Sequence, residues 1–323
     1  MRLTAILVAT TSVCTLAATS AANAAAYTFT TFSASGATST DAVGINNGEQ
    51  IVGAFITHGY VRDASGSFTQ IDVPGAMSTG ANGINNTGQI VGQFHDLAGG
   101  AHGFLDTGGS FTTIDPPASG LTDAIGINDQ GQIVGFGFSL TAGTQGFLRS
   151  AAGSFFAVDV PGATETAAHG INDAGLIVGA YTTGGGFTTG GVQHGFLDVG
   201  GTFTTIDVPG ASATQPFGVN SAGDIVGWFD DSTGRHGFLD AGGTFTTIDV
   251  PGTGGITEAY GINDAGQISG RINIDTSLNF LGFLATPLAA VPEPSSFALL
   301  TLAIVMTGVV VFRRQFSSKT SQS

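Results

Sequence analysis

The stretch Gly227-Trp-Phe-Asp-Asp-Ser-Thr-Gly-Arg-His236 concentrates more chemistry than any other part of this chain. It holds Trp228, the single tryptophan, the adjacent carboxylates Asp230 and Asp231, and Arg235. An aromatic ring beside carboxylates and a guanidinium suits a sugar. The ring stacks on the pyranose face, and the planar fork and carboxylates engage hydroxyls in paired hydrogen bonds. Corresponding stretches elsewhere add His95 and Asp96, and Arg271. These seven residues form the candidate ligand-binding set. The plainer alternative is that they are solvated loops and that Trp228 only packs between repeats.

Other residue types recur too regularly to be a single site. His58, His102, His194 and His236 share one position in a repeat, where two further copies carry Gln145 and Leu281. A position that accepts Leu is not a metal ligand, so local hydrogen bonding is expected there. Asp72, Asp115, Asp159, Asp207 and Asp249 precede a proline, which fits an Asx-type role in the turn. A ring of such carboxylates at a channel mouth would also offer the oxygens that Ca²⁺ takes, six to eight at a time. Ca²⁺ therefore stays open, and no other cofactor is expected. Asn46, Asn85, Asn128, Asn172 and Asn263 read as turn residues as well. For catalysis there is no Gly-x-Ser-x-Gly elbow, no His-Glu-x-x-His and no phosphate loop. The body contains only Glu49, Glu165 and Glu258 as glutamates. Asp230 and Asp231 would point apart on an extended strand, which is poor geometry for a glycosidase pair. A non-catalytic protein is expected, with a polysaccharide lyase or hydrolase as the alternative.

The elements that must position these residues are repeats. The phrase Gly-Ile-Asn-Asn/Asp-x-Gly-Gln-Ile-Val-Gly, then His-Gly-Phe-Leu, then Gly-x-Phe-Thr-Thr-Ile-Asp-Val-Pro-Gly is written six times. Its copies start at Gly44, Gly83, Gly126, Gly170, Gly218 and Gly261, spaced 39, 43, 44, 48 and 43 residues apart. Each copy contains four short β-prone runs separated by Asn-Gly, Gly-Gly and Pro-Gly turn chemistry. Four strands in roughly 43 residues is the spacing of a propeller blade. The sixth copy lacks its Phe-Thr-Thr-Ile line, and Tyr27-Thr-Phe-Thr-Thr-Phe32 supplies that line from the front of the chain. The expected fold is an all-β, six-bladed propeller closed by its N-terminal strand, which removes exposed sheet edges. Length varies mainly between the second and third strands, from Gly53–His58 to Gly179–His194. One face should thus be uniform and the other varied, and the varied face is where binding loops are expected.

The two ends differ from the body. Arg2, an apolar run and Ala22-Asn-Ala24 make residues 1–26 a signal peptide. Cys14 lies inside it, so cysteine chemistry is excluded from the exported part. The tail carries Pro292-Glu293-Pro294, an apolar run at 297–312, and then Arg313 and Arg314. Sixteen apolar residues are short for a membrane-spanning helix, which needs ~20, although flanking small residues extend the run. Residues 289–323 are taken as a sorting signal with a transmembrane segment, and 27–288 as the propeller. The body keeps four arginines and no lysine against 22 carboxylates. That balance excludes nucleic acid as a partner.

The tail resembles the PEP-CTERM sorting signal of Gram-negative bacteria. The resemblance implies cleavage near Pro292-Glu293-Pro294 by an exosortase, a membrane protease, with Arg313 and Arg314 on the cytoplasmic side. It also implies transient anchoring in the inner membrane and delivery to the cell surface or extracellular polysaccharide matrix. The body resembles exported HAF-type repeats, with His-Gly-Phe where His-Ala-Phe is usual. That resemblance implies export and no particular chemistry.

Overall fold

The computed structural model describes residues 27–34, 36–117, 119–251, 256–273 and 279–288. The signal peptide lies outside the described residues, as do the sorting residues Pro292, Glu293, Pro294, Arg313 and Arg314 and the transmembrane run.

Six antiparallel sheets of four strands form the six blades of the propeller. Blade two shows the pattern, with Ser78–Ile84, Ile90–His95, Ala101–Thr107 and Ser110–Ile114 adjacent in chain order. Blade six takes Thr257–Ile262, Ile268–Asn273 and Phe280–Pro287 from the end of the chain. Its fourth strand is Tyr27–Phe32, paired from Tyr27↔Pro287 to Phe32↔Gly282. The ring thus closes as the displaced Phe-Thr-Thr line requires.

The core lies between blades. Val91 and Ile114 of blade two pack with Ala124, Ile127, Ile133 and Phe147 of blade three, and similar clusters recur around the ring. Two glycines per repeat permit this packing. Gly92 faces Phe104 across the second and third strands. A Cβ on Gly92 would lie 2.0 Å from the Gly80 carbonyl oxygen and 2.9 Å from the Phe104 ring. A Cβ on Gly83 would lie 2.4 Å from the Ile125 carbonyl oxygen of the next blade. The first glycine lets an aromatic ring cover the strand, and the second lets inner strands crowd at the axis.

The recurring aspartates do not fix the Pro-Gly turn, contrary to the Asx-type expectation. They instead meet the recurring histidines, with His102 Nδ1 2.8 Å from Asp115, and His194 and His236 2.8 Å from Asp207 and Asp249. His58 pairs likewise with Asp72. Thr79, Thr166 and Thr214 hold the turn, each accepting a hydrogen bond from a backbone N–H six residues earlier. Strands three and four lie side by side at that point, so the pair is formed across the sheet and not along the chain.

Candidate functional site

The two faces of the ring are built differently. On one, each first strand turns into the second through a buried Asn. Asn172 Oδ1 accepts from the N–H groups of Ala174 and Leu176, while its Nδ2 donates to the Asn220 carbonyl of the next blade. The same inter-blade bond runs through Asn46, Asn85, Asn128, Asn172, Asn220 and Asn263 and back to Asn46, at 2.9–3.4 Å. Sequence reading placed five of these asparagines in turns, without Asn220, and did not show that they close a ring.

Above that ring, each first strand carries a β-bulge. The pairing register skips Val43, Asn82, Ile125, His169, Phe217 and Tyr260. All six line a cavity of about 100 Å³ on the axis. Bulges re-aim side chains, and here the re-aimed position is a column of the inner strand that the repeat does not keep. That variation was the available signal for the channel lining. His169 stacks on Phe217, with centroids 4.3 Å apart, and donates from Nδ1 to the Pro216 carbonyl. Burial lowers its pKa to about 4, so the ring is neutral. Asp123 sits two residues before Ile125 and accepts from Asn82. Burial pushes its pKa up to about 7 against that hydrogen bond.

Toward the loop face, blades five, six and one bring their charges together. Arg235 donates from Nε and Nη2 to both oxygens of Asp230, at 2.8 and 2.9 Å, and from Nη1 to Glu258 at 2.7 Å. Arg271 donates from Nε to the other Glu258 oxygen and from Nη1 to Asp41 at 3.2 Å. The Tyr260 hydroxyl also donates to Glu258, at 2.7 Å. Glu258 is 2% exposed, while the Arg235 and Arg271 side chains retain 31% and 26% of their surface. The guanidinium of Arg235 lies 3.6 Å from the centroid of Trp228, and that of Arg271 lies 4.2 Å from Phe280.

The charges of this cluster are held by one another. Burial raises the pKa of Glu258, but the Arg271 charge, the Tyr260 hydroxyl and Arg235 together hold it below the usual range. A carboxylate so stabilised is a weak base. Tyr260 is pushed well above its ordinary value by burial and by the Glu258 charge, which makes it a weak nucleophile. The outward edges of two guanidiniums and of Asp230 and Asp41 remain, a fixed array of donors and acceptors.

The structure thus brings Trp228, Asp230, Arg235 and Arg271 together and adds Asp41, Glu258, Tyr260 and Phe280. Trp228 is 6% exposed and Arg235 occupies its face, so a sugar does not find an open ring there. Asp231 lies one residue past the end of its strand and accepts from Thr233 N–H and Oγ1 at 2.6 Å within the loop. His95 and Asp96 belong to blade two, across the ring from blade five. Asp96 accepts from Ala98 and Gly100 within its own loop, and His95 meets Ser78. Among the described residues, no group of three or more His, Cys, Asp or Glu is arranged to hold a metal.

Residues 290–315 match the PEP-CTERM protein-sorting motif. The protein is therefore an exported β-propeller with a C-terminal anchor, processed by exosortase, a membrane protease of the Gram-negative cell envelope. No curated protein matches the chain. Among solved structures it is similar to a triple arginine-to-alanine mutant of AofleA from Arthrobotrys oligospora. Identity is 12%, covering 79% of this chain and 85% of that one, with a TM-score of 0.44. It is also similar to an asparagine-to-glutamine mutant of the Aleuria aurantia lectin AAL in complex with Fucα1-6GlcNAc. Identity is 13%, covering 79% and 98%, with a TM-score of 0.42. At this level neither likeness bears on what this chain binds.

Proposed function

We propose that the loop face binds a neutral polysaccharide at the Arg235–Glu258–Arg271 cluster, making the protein a non-catalytic binding component of the extracellular polysaccharide matrix. The observation that carries this reading is the pairing of two partly exposed guanidiniums with fixed carboxylates. Vicinal sugar hydroxyls both donate and accept, and such an array meets both needs without rearrangement. Charge argues for a neutral chain. The cluster sets two arginines against Asp41, Asp230 and Glu258, inside a body of four arginines and 22 carboxylates. An anionic polymer would be repelled. Trp228 acts by holding Arg235 flat, so it contributes through the guanidinium. The resemblance of the repeats to the HAF type stays a resemblance and adds no ligand.

The test is a glycan array read with wild type, Arg235→Gln, Asp230→Asn and the opposite-blade control His95→Ala, each with and without Ca²⁺. Wild type and His95→Ala are expected to bind neutral glycans alike, with at least tenfold loss in Arg235→Gln. Equal binding by all four proteins would remove the cluster from the function. Release of reducing or unsaturated sugar ends from a bound polysaccharide would establish the enzyme instead.

A further inference from the structure

We infer that, while anchored, the protein stands with its Asn-turn face toward the membrane and its loop face, with the Arg–Glu cluster, directed outward. The observation is strand polarity. The third strand of every blade runs from the loop face to the turn face, and in blade six that strand is Phe280–Pro287, the last before the tail. Pro287 is on the turn face, since a Cβ on Gly266, in the Asn263–Gly266 turn, would lie 3.3 Å from it. The chain therefore leaves the propeller at Leu288 on that face, two residues before the matched sorting motif begins. Tyr27 pairs with Pro287, so the segment preceding the body leaves beside it.

The distances leave little freedom. Pro292 lies four positions beyond Leu288, at most ~14 Å away, and the apolar run at 297 begins nine positions beyond it, at most ~32 Å away. The blade-six edge of the turn face is thus held close to the bilayer and to the protease that cuts the tail. The loop face lies a strand length farther out, ~20 Å. Strand closure by the N-terminus makes this arrangement robust, because both ends hang from one edge. The turn face has the chemistry of a close but non-adhering surface. Its outermost turn residues are Asn47, Asn86, Asp129, Asp173, Ser221 and Asp264, largely satisfied by one another from blade to blade. Among the described residues its arginines are Arg62 and Arg149, at the ends of third strands in separate blades, so they do not form a patch that would draw it onto anionic lipid.

The body contains no cysteine, which makes the test direct. Full-length protein carrying Cys14→Ser and one added cysteine is made without exosortase, so that the tail is retained. It is reconstituted in phosphatidylethanolamine–phosphatidylglycerol vesicles that contain headgroup-nitroxide lipid. Ala222→Cys and Ala265→Cys report the turn face, and Ala98→Cys and Ser232→Cys report the loop face. All four positions are exposed and outside the binding cluster. Fluorophores on Ala222→Cys and Ala265→Cys are expected to be quenched at least threefold more strongly than those on the loop face. Inserting twelve Gly-Ser residues after Leu288 should abolish the difference. Equal or reversed quenching in the native chain would overturn the orientation. Asymmetry that survives the insertion would overturn the tether as its cause. None of these readings depends on glycan binding.

Discussion

The turn face and the loop face of this propeller are made from the same six repeats, yet they spend their polar groups in opposite ways. On the turn face each buried Asn accepts one or two backbone hydrogen bonds within its turn and donates one to the next blade. The result is a closed ring whose side-chain amides are spent on holding the blades together. On the loop face the repeat is broken. Blades five and six supply Arg235 and Arg271 where the other copies carry uncharged residues, blade six supplies Glu258, and blade one adds Asp41. The comparison teaches that in a closed repeat the uniform positions hold the ring, while chemistry collects where adjacent copies differ together.

The most severe way to break the comparison is to remove the shared acceptor on the loop face. Glu258→Ala leaves two guanidiniums without their common carboxylate. Breaking a buried ion pair on one side costs about 3–5 kcal/mol, reduced here because both arginines reach solvent. A loss near 3 kcal/mol in denaturant unfolding is expected, together with loss of glycan binding. On the turn face, Asn172→Ala strands two N–H donors and one carbonyl in a nearly buried site. About 2 kcal/mol of destabilisation is expected, with glycan binding unchanged once the protein is folded. If Asn172→Ala abolished binding in folded protein, the division of labour between faces would fail.

The channel between the faces gives a pH signature. Asp123 has a folded pKa of about 7 against about 3.9 when unfolded. The native state holds more protons between those values, so this group's contribution falls as pH rises from about 4 to 7 and is flat above. Asp123→Asn should therefore be increasingly more stable than wild type over that range. The gain should be about 1–2 kcal/mol at pH 8, well below the full linkage value because the channel admits solvent. His169 works oppositely. Its pKa of about 4 means the unfolded state takes up the proton first, so stability drops as pH falls from about 6.5 to 4. Comparing Asp123→Asn with wild type across pH 4–8 isolates the aspartate. A constant difference would show that Asp123 does not titrate there.

The smallest effect tests the uniformity of the turn face itself. Glu49 has φ 58° where the other five copies place Gly at φ 72–86°. A residue with a Cβ in this region costs about 1 kcal/mol. Glu49→Gly should stabilise by about that amount less its bond to Gln267, and thermal unfolding reads it.

Much of the fold was legible because its determinants are local and periodic. The Asn turns, the alternating Phe-Thr-Thr-Ile strand and the displaced first line each state their role within a few residues. The aspartates were misread as turn chemistry because thirteen or fourteen residues separate them from their histidine partners, and only the pairing of strands three and four brings them across from each other. The cluster was half legible. Trp228, Asp230 and Arg235 fall within eight residues of one another and were selected together. Glu258 was counted among the glutamates but not selected, although it joins Arg235 from 23 residues away and Arg271 from 13. Its signal was a glutamate in an inner-strand column that elsewhere holds Asp, Gly, Ala or Gln.

By itself the sequence determined the number of blades, the manner of closure, the strand order and the export signal at the tail. Each follows from repetition or a contiguous motif, and repetition needs no knowledge of distance. Only the tertiary structure decided which side chains meet. Closing the ring sets blades five, six and one edge to edge, and the bulges turn one residue per inner strand into the axis. It also decided that Arg235 covers Trp228, because a partly buried guanidinium is held by both its carboxylates and a flat surface, and those partners lie on different blades.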